Sequence, residues 1–339
     1  MNKIIFLTLA FVFTMCFAFA QNVTEKNGTV CFPTIADYEY FAENPDNRAD
    51  IGNVVNKFKT ISILKAVYVE PTDNTEGIPE FLQEILNTDY ITTIGSFYVK
   101  LDMLNQRALA IQHNVAGAYN TLVTNNLTAT GLLQFAFDDG NALEIMEGIE
   151  TGNGSINNYK QRIIKITDEE MATTAVTRGP SENIYANEPL NCANPSGNEY
   201  KINQAWGLQY TESSCSAPGN NFATNSGDLK LVYQKVGIYF SLIAKEKCRK
   251  VCVYGGNANT AQTISVEMYL QGTVRYKRCG QGDMSSNNLQ NYQNTNDKSW
   301  RPFESSRRLT KYDFTVQFKQ RDSRSGEKVF PIMNIMWGY

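Results

Sequence analysis

Along residues 264–277 apolar and polar side chains alternate: Ile264, Val266, Met268, Leu270, Val274 and Tyr276 stand at even positions beside Gly272, while Glu267, Tyr269, Gln271, Thr273, Arg275 and Lys277 stand at odd ones. Successive side chains of a strand point to opposite faces, so this period of two predicts a long strand with one face on a core and the other in water. The pattern recurs at Leu229, Leu231 and Tyr233, then, after a phase break at Gly237, at Ile238, Phe240, Leu242 and Ala244, and again at Tyr312, Phe314, Val316 and Phe318. Residues 321–326 read as a turn into a last strand over 328–337, and the Ser-, Asn- and Gly-rich stretches 213–228 and 280–298 read as loops. Strands this dense, without helices between them, predict an antiparallel sandwich or barrel.

The earlier part of the chain mixes periods. Thr34 is placed to cap a helix over 35–43, and Pro45 ends it. Ile51, Val54, Val55 and Phe58 have helical spacing, 61–69 fits strand or helix, and Pro79 opens a short helix over 78–86. Residues 91–101 and 107–111 predict a hairpin, 115–123 a helix, and 132–137 a strand that Asp138-Asp139-Gly140-Asn141 turns into a helix carrying Ala142, Leu143, Ile145, Met146 and Ile149. One more strand is expected over 163–166. The expected fold class is thus an α+β N-terminal domain over 21–167, a Pro- and Gly-rich linker over 168–198, and an all-β C-terminal domain over 199–339.

Lys3, the apolar run 4–17 and Ala18-Phe19-Ala20 form the three-part pattern of a secretory signal peptide over 1–20, with cleavage expected after Ala20. No later run is apolar for long enough to span a bilayer, so a secreted or cell-surface protein is expected. Beyond Cys16 six cysteines remain, Cys31, Cys192, Cys215, Cys248, Cys252 and Cys279, and an even number in an exported chain suggests disulfides. On one strand Cys248 and Cys252 would lie about 13 Å apart, too far to bridge. One of them is expected to join Cys279, and Cys192 to join Cys215. A zinc site at Cys248, Cys252 and Cys279 is the alternative, but no C-x-x-C pair accompanies it.

The formal net charge of −3 conceals a division. Residues 21–198 carry 11 Lys and Arg against 23 Asp and Glu, a net of −12, whereas 199–339 carry 19 against 11, a net of +8. Either an acidic domain docks on a basic one, or the basic domain holds an anionic ligand.

The segment PEFLQEILNTDYITTIGSFYVKLDMLNQRALAI, followed by LLQFAFDDGNALEIMEGIETG, resembles a pattern in uncharacterised exported proteins of Bacteroidota. The resemblance covers residues 79–152 and departs at Thr88-Asp89-Tyr90, where an Asp-Gly-type turn is expected. It implies export and transfers no activity or catalytic residue.

Several chemistries lack their residues. His113 is the single histidine, no G-x-S-x-G elbow accompanies it, and catalytic zinc sets need more imidazoles. Neither a Walker loop nor a dinucleotide fingerprint is present, so no cofactor is expected. Asp138 and Asp139 read as a helix cap rather than as a glycosidase pair or a calcium loop. The expected wet side of the β domain carries Tyr239, Lys245, Lys247, Tyr269, Arg275 and Lys277, aromatics among cations that suit a glycan or an anionic polymer. No nucleic-acid reading motif is present. The reading is a non-catalytic binding or structural protein, with a carboxylate-dependent glycan hydrolase and a subunit of an exported assembly, held by a protein partner, as alternatives.

Overall fold

The computed structural model describes residues 23–47, 51–52, 78–137, 140, 142–152, 198–215, 222–253, 262–278 and 281–339. These fall into two compact units, one reaching Leu101 and resuming over Leu109–Leu133, the other made of Asp102–Ala108 and Gln134–Tyr339. An α+β portion is followed by an all-β C-terminal portion, the fold class that the periodicities predict. The expected elements over 53–69 and 163–166, the Asp138-Asp139 cap and the linker over 168–197 lie outside the described residues.

Six short strands, β1 (Thr24–Lys26), β2 (Thr29–Phe32), β3 (Ile91–Ile94), β4 (Phe97–Asp102), β5 (Arg107–Gln112) and β6 (Leu133–Ala136), follow one another across a sheet in chain order. The stretch 91–101, expected to be one strand, is a hairpin: Gly95 adopts φ 56°, a conformation open to glycine, and β4 folds back on β3. Helix α1 (Ile35–Glu43) begins where expected. The Asp37 N–H donates to the Thr34 hydroxyl over 3.1 Å and the Thr34 N–H donates to the Asp37 carboxylate over 3.0 Å, a reciprocal capping box. Helix α2 (Glu80–Ile85) follows Pro79. Lys100 is buried, and its ammonium donates to the Leu122 carbonyl in the last turn of α3 (Ala118–Val123) over 2.8 Å and to Asn125 over 2.9 Å. A cation at the negative end of a helix, hydrogen-bonded to two oxygens there, tolerates burial that would otherwise be costly.

In the second unit, α4 (Ala142–Glu150) buries Ala142, Leu143, Ile145 and Met146. Its Glu144 and Glu147 meet Arg307 at 2.8 and 3.4 Å. Part of the acidic excess of residues 21–198 is therefore matched by an arginine from the basic stretch, within one unit.

Two antiparallel sheets make the rest. Sheet I runs β10 (Gln262–Thr263), β9 (Phe240–Cys252), β8 (Phe222–Lys235), β7 (Glu199–Thr211), with β13 (Asp297–Ser305) also on β9. Sheet II runs β12 (Asp283–Thr295), β11 (Val266–Arg278), β14 (Leu309–Asp322), β15 (Gly326–Val329), with β16 (Met333–Trp337) also on β14. Their inner faces share one core, in which Leu229, Leu231 and Leu242 of sheet I cluster with Leu270, Phe314 and Phe318 of sheet II. Burying each such side chain contributes about 1.5–3 kcal/mol. The alternation along β11 is as expected: Val266, Met268, Leu270 and Val274 are buried, while Gln271, Thr273 and Arg275 are exposed.

The stretch 280–298, expected to be a loop, contains β12 and the start of β13, and 213–228 contains the start of β8. The single strand expected over 328–337 is interrupted around Pro331, which has no N–H to give a ladder. Gly272 sits at an inward position of β11, where a Cβ would lie 2.4 Å from Cζ3 of Trp300. Gly272→Ala is therefore expected to destabilise by about 1–3 kcal/mol. A lowered urea midpoint with an unchanged slope would show it.

Candidate functional site

The outer face of sheet I carries a row of like charges. Lys201 on β7 faces Lys230 on β8, which faces Lys245 on β9. With strands about 4.8 Å apart, three ammonium-bearing residues occupy roughly 10 Å of sheet. Lys247 and Arg249 continue the charge along β9 on the same side. Like charges directly opposite destabilise a sheet unless something compensates them. Here Glu199 serves both Lys201 (2.9 Å) and Lys230 (2.6 Å), Asp297 serves both Lys245 (3.3 Å) and Lys247 (3.4 Å), and Asp228 pairs with Arg249 (3.1 Å). Glu199, Asp297 and Asp228 thus serve five cations between them. Burial alone would raise the Glu199 pKa, but hydrogen bonds from Lys230 and Lys201 outweigh it and hold the carboxyl below its usual range. The lysine and arginine side chains stay about a third exposed or more, with Lys201 at 61%.

The six residues expected on one wet side do not share one. Lys245 and Lys247 belong to this face. Tyr269, Arg275 and Lys277 lie on the outer face of sheet II, which looks the opposite way because the inner faces of the two sheets enclose the core. Tyr239 is on neither surface: it is 1% exposed and its hydroxyl bonds to Glu304. The reason is local. Residues 240–244 are buried on both sides of β9, and the preceding Gly237 turn is backed by Phe137, whose carbonyl accepts the Gly237 N–H at 2.9 Å, and by Ala108.

On sheet II, Arg275 is paired with Asp283 at 2.6 Å, and its guanidinium lies 4.4 Å from the centre of the Tyr339 ring. The hydrogen bond between the pair raises the arginine pKa and lowers the aspartate pKa. The Tyr269 hydroxyl donates to Glu267 over 3.0 Å, and Lys319 caps its ring at 4.6 Å. Lys277 faces Asp283 on one side and Lys311 on the other. This face is largely engaged with itself. His113 follows β5 in a turn, with its ring near that of Tyr98.

No protein-family model, curated protein or solved structure matches the chain.

One end of the sandwich holds a buried polar chain. Trp206 donates to Gln320 (3.1 Å), whose amide donates to the Lys247 carbonyl (3.1 Å) and to Glu246 (3.5 Å). Nearby, Tyr210 donates to Asn225 (3.1 Å), and Asn225 donates to Asp322 (2.9 Å), which Arg324 also holds (3.2 Å). Burial would raise the Asp322 pKa, yet the Arg324 N–H, Asn225 and the Arg324 guanidinium lower it. Glu246 goes the other way: burial, with a smaller contribution from Asp297, pushes its carboxyl up to about 9. It is 0% exposed, so it has no route to a substrate. Among the described residues no group of three or more acidic, Cys or His side chains is arranged to hold a metal ion.

The cysteines pair differently from expectation. Cys215 bonds Cys252, not Cys192, and Cys31 and Cys248 are buried free thiols, so neither Cys248 nor Cys252 joins Cys279. Cys215 returns to the edge of sheet I after β7, where it clusters with Tyr210 and Ala223, and Ala223 is the direct partner of Cys252 on β9. A disulfide fits an oxidising compartment. Among the described residues no helix is long and apolar enough to cross a bilayer.

Proposed function

We propose that the protein is an exported, non-catalytic binding protein that holds a polyanionic glycan on the outer face of sheet I. The observation that carries this reading is the sharing of two carboxylates by four lysines, Glu199 between Lys201 and Lys230 and Asp297 between Lys245 and Lys247. In each trio two lysines meet one carboxylate, and Arg249 lies beside them with its own acid. A sulfate or carboxylate entering the row completes the neutralisation without displacing an internal partner. The signal-peptide pattern of residues 1–20 and the disulfide favour a ligand met outside the cytoplasm. Against the hydrolase alternative, the carboxyl pushed upward among the described residues, Glu246, is sealed in the core, while Asp322 and Glu199 are held ionised and so are poor proton donors.

Calorimetric titration with a sulfated and a uronate polysaccharide tests this. Binding is expected to weaken as salt is added, because exposed charges are screened. The pair Lys230→Ala and Lys245→Ala is expected to weaken it by about tenfold or more, equivalent to about 1.4 kcal/mol, whereas Arg275→Ala with Lys277→Ala leaves it unchanged. The opposite ranking would move the site to sheet II. Tighter binding of single-stranded DNA would replace the glycan with a phosphate polymer, and shortening of the polysaccharide would sink the non-catalytic reading.

A further inference from the structure

Strand β12 is the edge of sheet II, and among the described residues β11 is its pairing partner on one side while its other side is unpaired. It is long, at 13 residues, and nearly all of them are exposed or half-buried on both faces. Natural edge strands are guarded by charges, prolines, bulges or a covering segment. Residues 284–295 contain no charged residue and no proline. The one irregularity lies near the strand's end, where the register against β11 shifts between Val266 and Met268, so the ladder from Asp283 to Tyr292 is regular. Leu289 stands in the middle of that unguarded edge and is 77% exposed.

We infer that two copies of this chain pair through β12, antiparallel and centred on Leu289, joining two copies of sheet II into one continuous sheet. Three features of the strand fit itself in this register. Leu289 faces the second copy's Leu289, so each covers an apolar side chain that otherwise meets water. No like charges meet, because the sole charged residue, Asp283, falls opposite the second copy's Thr295. Asn288 faces the second copy's Gln290, twice by symmetry. Within one chain the Asn288 Nδ2 and the Gln290 Oε1 are buried and have no hydrogen-bond partner. One is a donor and the other an acceptor, and directly opposed residues on one face lie about 4.5–5.5 Å apart at Cβ. A rotation of each terminal amide toward the neighbouring strand satisfies both, removing a penalty that an unpaired buried polar atom carries.

The arrangement is a closed twofold pair, the commonest form of homo-oligomer. Because facing residues share a face, the twofold axis runs perpendicular to the sheet and both copies turn sheet I the same way. If the glycan reading above holds, the pair grips a long polymer at two places, and avidity follows. The pairing itself does not depend on that reading, and its test contains no polymer.

Size-exclusion chromatography with light scattering on the full chain is expected to give twice the mass of one chain. Leu289→Lys, which places two ammonium groups face to face, is expected to return the single-chain mass, while Leu104→Lys, at another exposed leucine (92%), leaves the pair intact. Circular dichroism confirms that both variants fold. In a second measurement, Leu289→Cys is expected to cross-link to itself under oxidation and Ser285→Cys is not, since the latter faces position 293. A single-chain mass for the unaltered protein at every concentration, a persistent pair in Leu289→Lys, or equal cross-linking at 285 and 289 would each overturn the inference.

Discussion

Glu246→Gln is expected to stabilise the protein at neutral pH and to flatten its stability against pH. The carboxyl points into the core from β9, is 0% exposed, and has one oxygen without a hydrogen-bond partner. Burial is the main cause of a pKa raised from 4.5 to about 9, Asp297 adds to it, and the bond from Gln320 only partly opposes it. The unfolded chain releases this proton from about 4.5 upward, whereas the folded chain keeps it until about 9. The unfolded state therefore binds fewer protons across that window, and stability falls as pH rises through it. At pH 7 the retained proton costs on the order of 3 kcal/mol, from about 1.36 kcal/mol per pH unit above 4.5. Glutamine keeps the shape of the protonated acid and titrates nowhere in this range. Urea unfolding from mildly acidic to mildly alkaline conditions is expected to show a declining curve for the natural protein and a level one for the variant. Parallel curves would mean that the group is ionised in the folded protein.

Removing the Cys215–Cys252 bond is expected to cost about 3–4 kcal/mol. The two residues are 37 positions apart, so the cross-link restricts the unfolded chain over a substantial loop. It also fastens the segment after β7 to the end of β9, where Lys250 holds Glu212 and Ser214 at 3.5 and 2.7 Å. Cys248 does not substitute for either partner. It is fully buried, and burial, with Asp322 and Glu246 nearby, pushes its thiol up to about 12, so it is not the thiolate that exchange requires. Cys215→Ser with Cys252→Ser is expected to lower the thermal midpoint by many degrees, and Cys248→Ala by far less. Equal losses would show that the loop is ordered by something other than the bond.

How much of this was legible in the sequence depended on whether neighbours along the chain carried the information. The alternation of β11 and the Thr34 cap are local, and both were readable. Strand β12 was not, because an edge strand with polar groups on both faces has no period of two to detect. Tyr239 was misplaced for the opposite reason: β9 begins with both faces covered, so alternation there distinguishes two buried sides. Lys230 alternates with Leu229 and Leu231 along the chain, but its place between Lys201 and Lys245 is a matter of register across three strands. The disulfide likewise rests on where β7 returns, which the spacing of Cys215, Cys248 and Cys252 does not encode.

The chain passes from β12 in sheet II to β13 in sheet I across a single residue, Asn296. One layer therefore receives its last strand from a segment that has only just left the other. Sheet I is completed only when β13 returns to β9, from which it is separated by about fifty residues or more that include the β11–β12 ladder of sheet II. Long-range closure of this kind delays folding and makes the two layers melt in a single step rather than in turn. A cut at Asn296 would separate β13 from the ladder that precedes it and leave β9 without that partner.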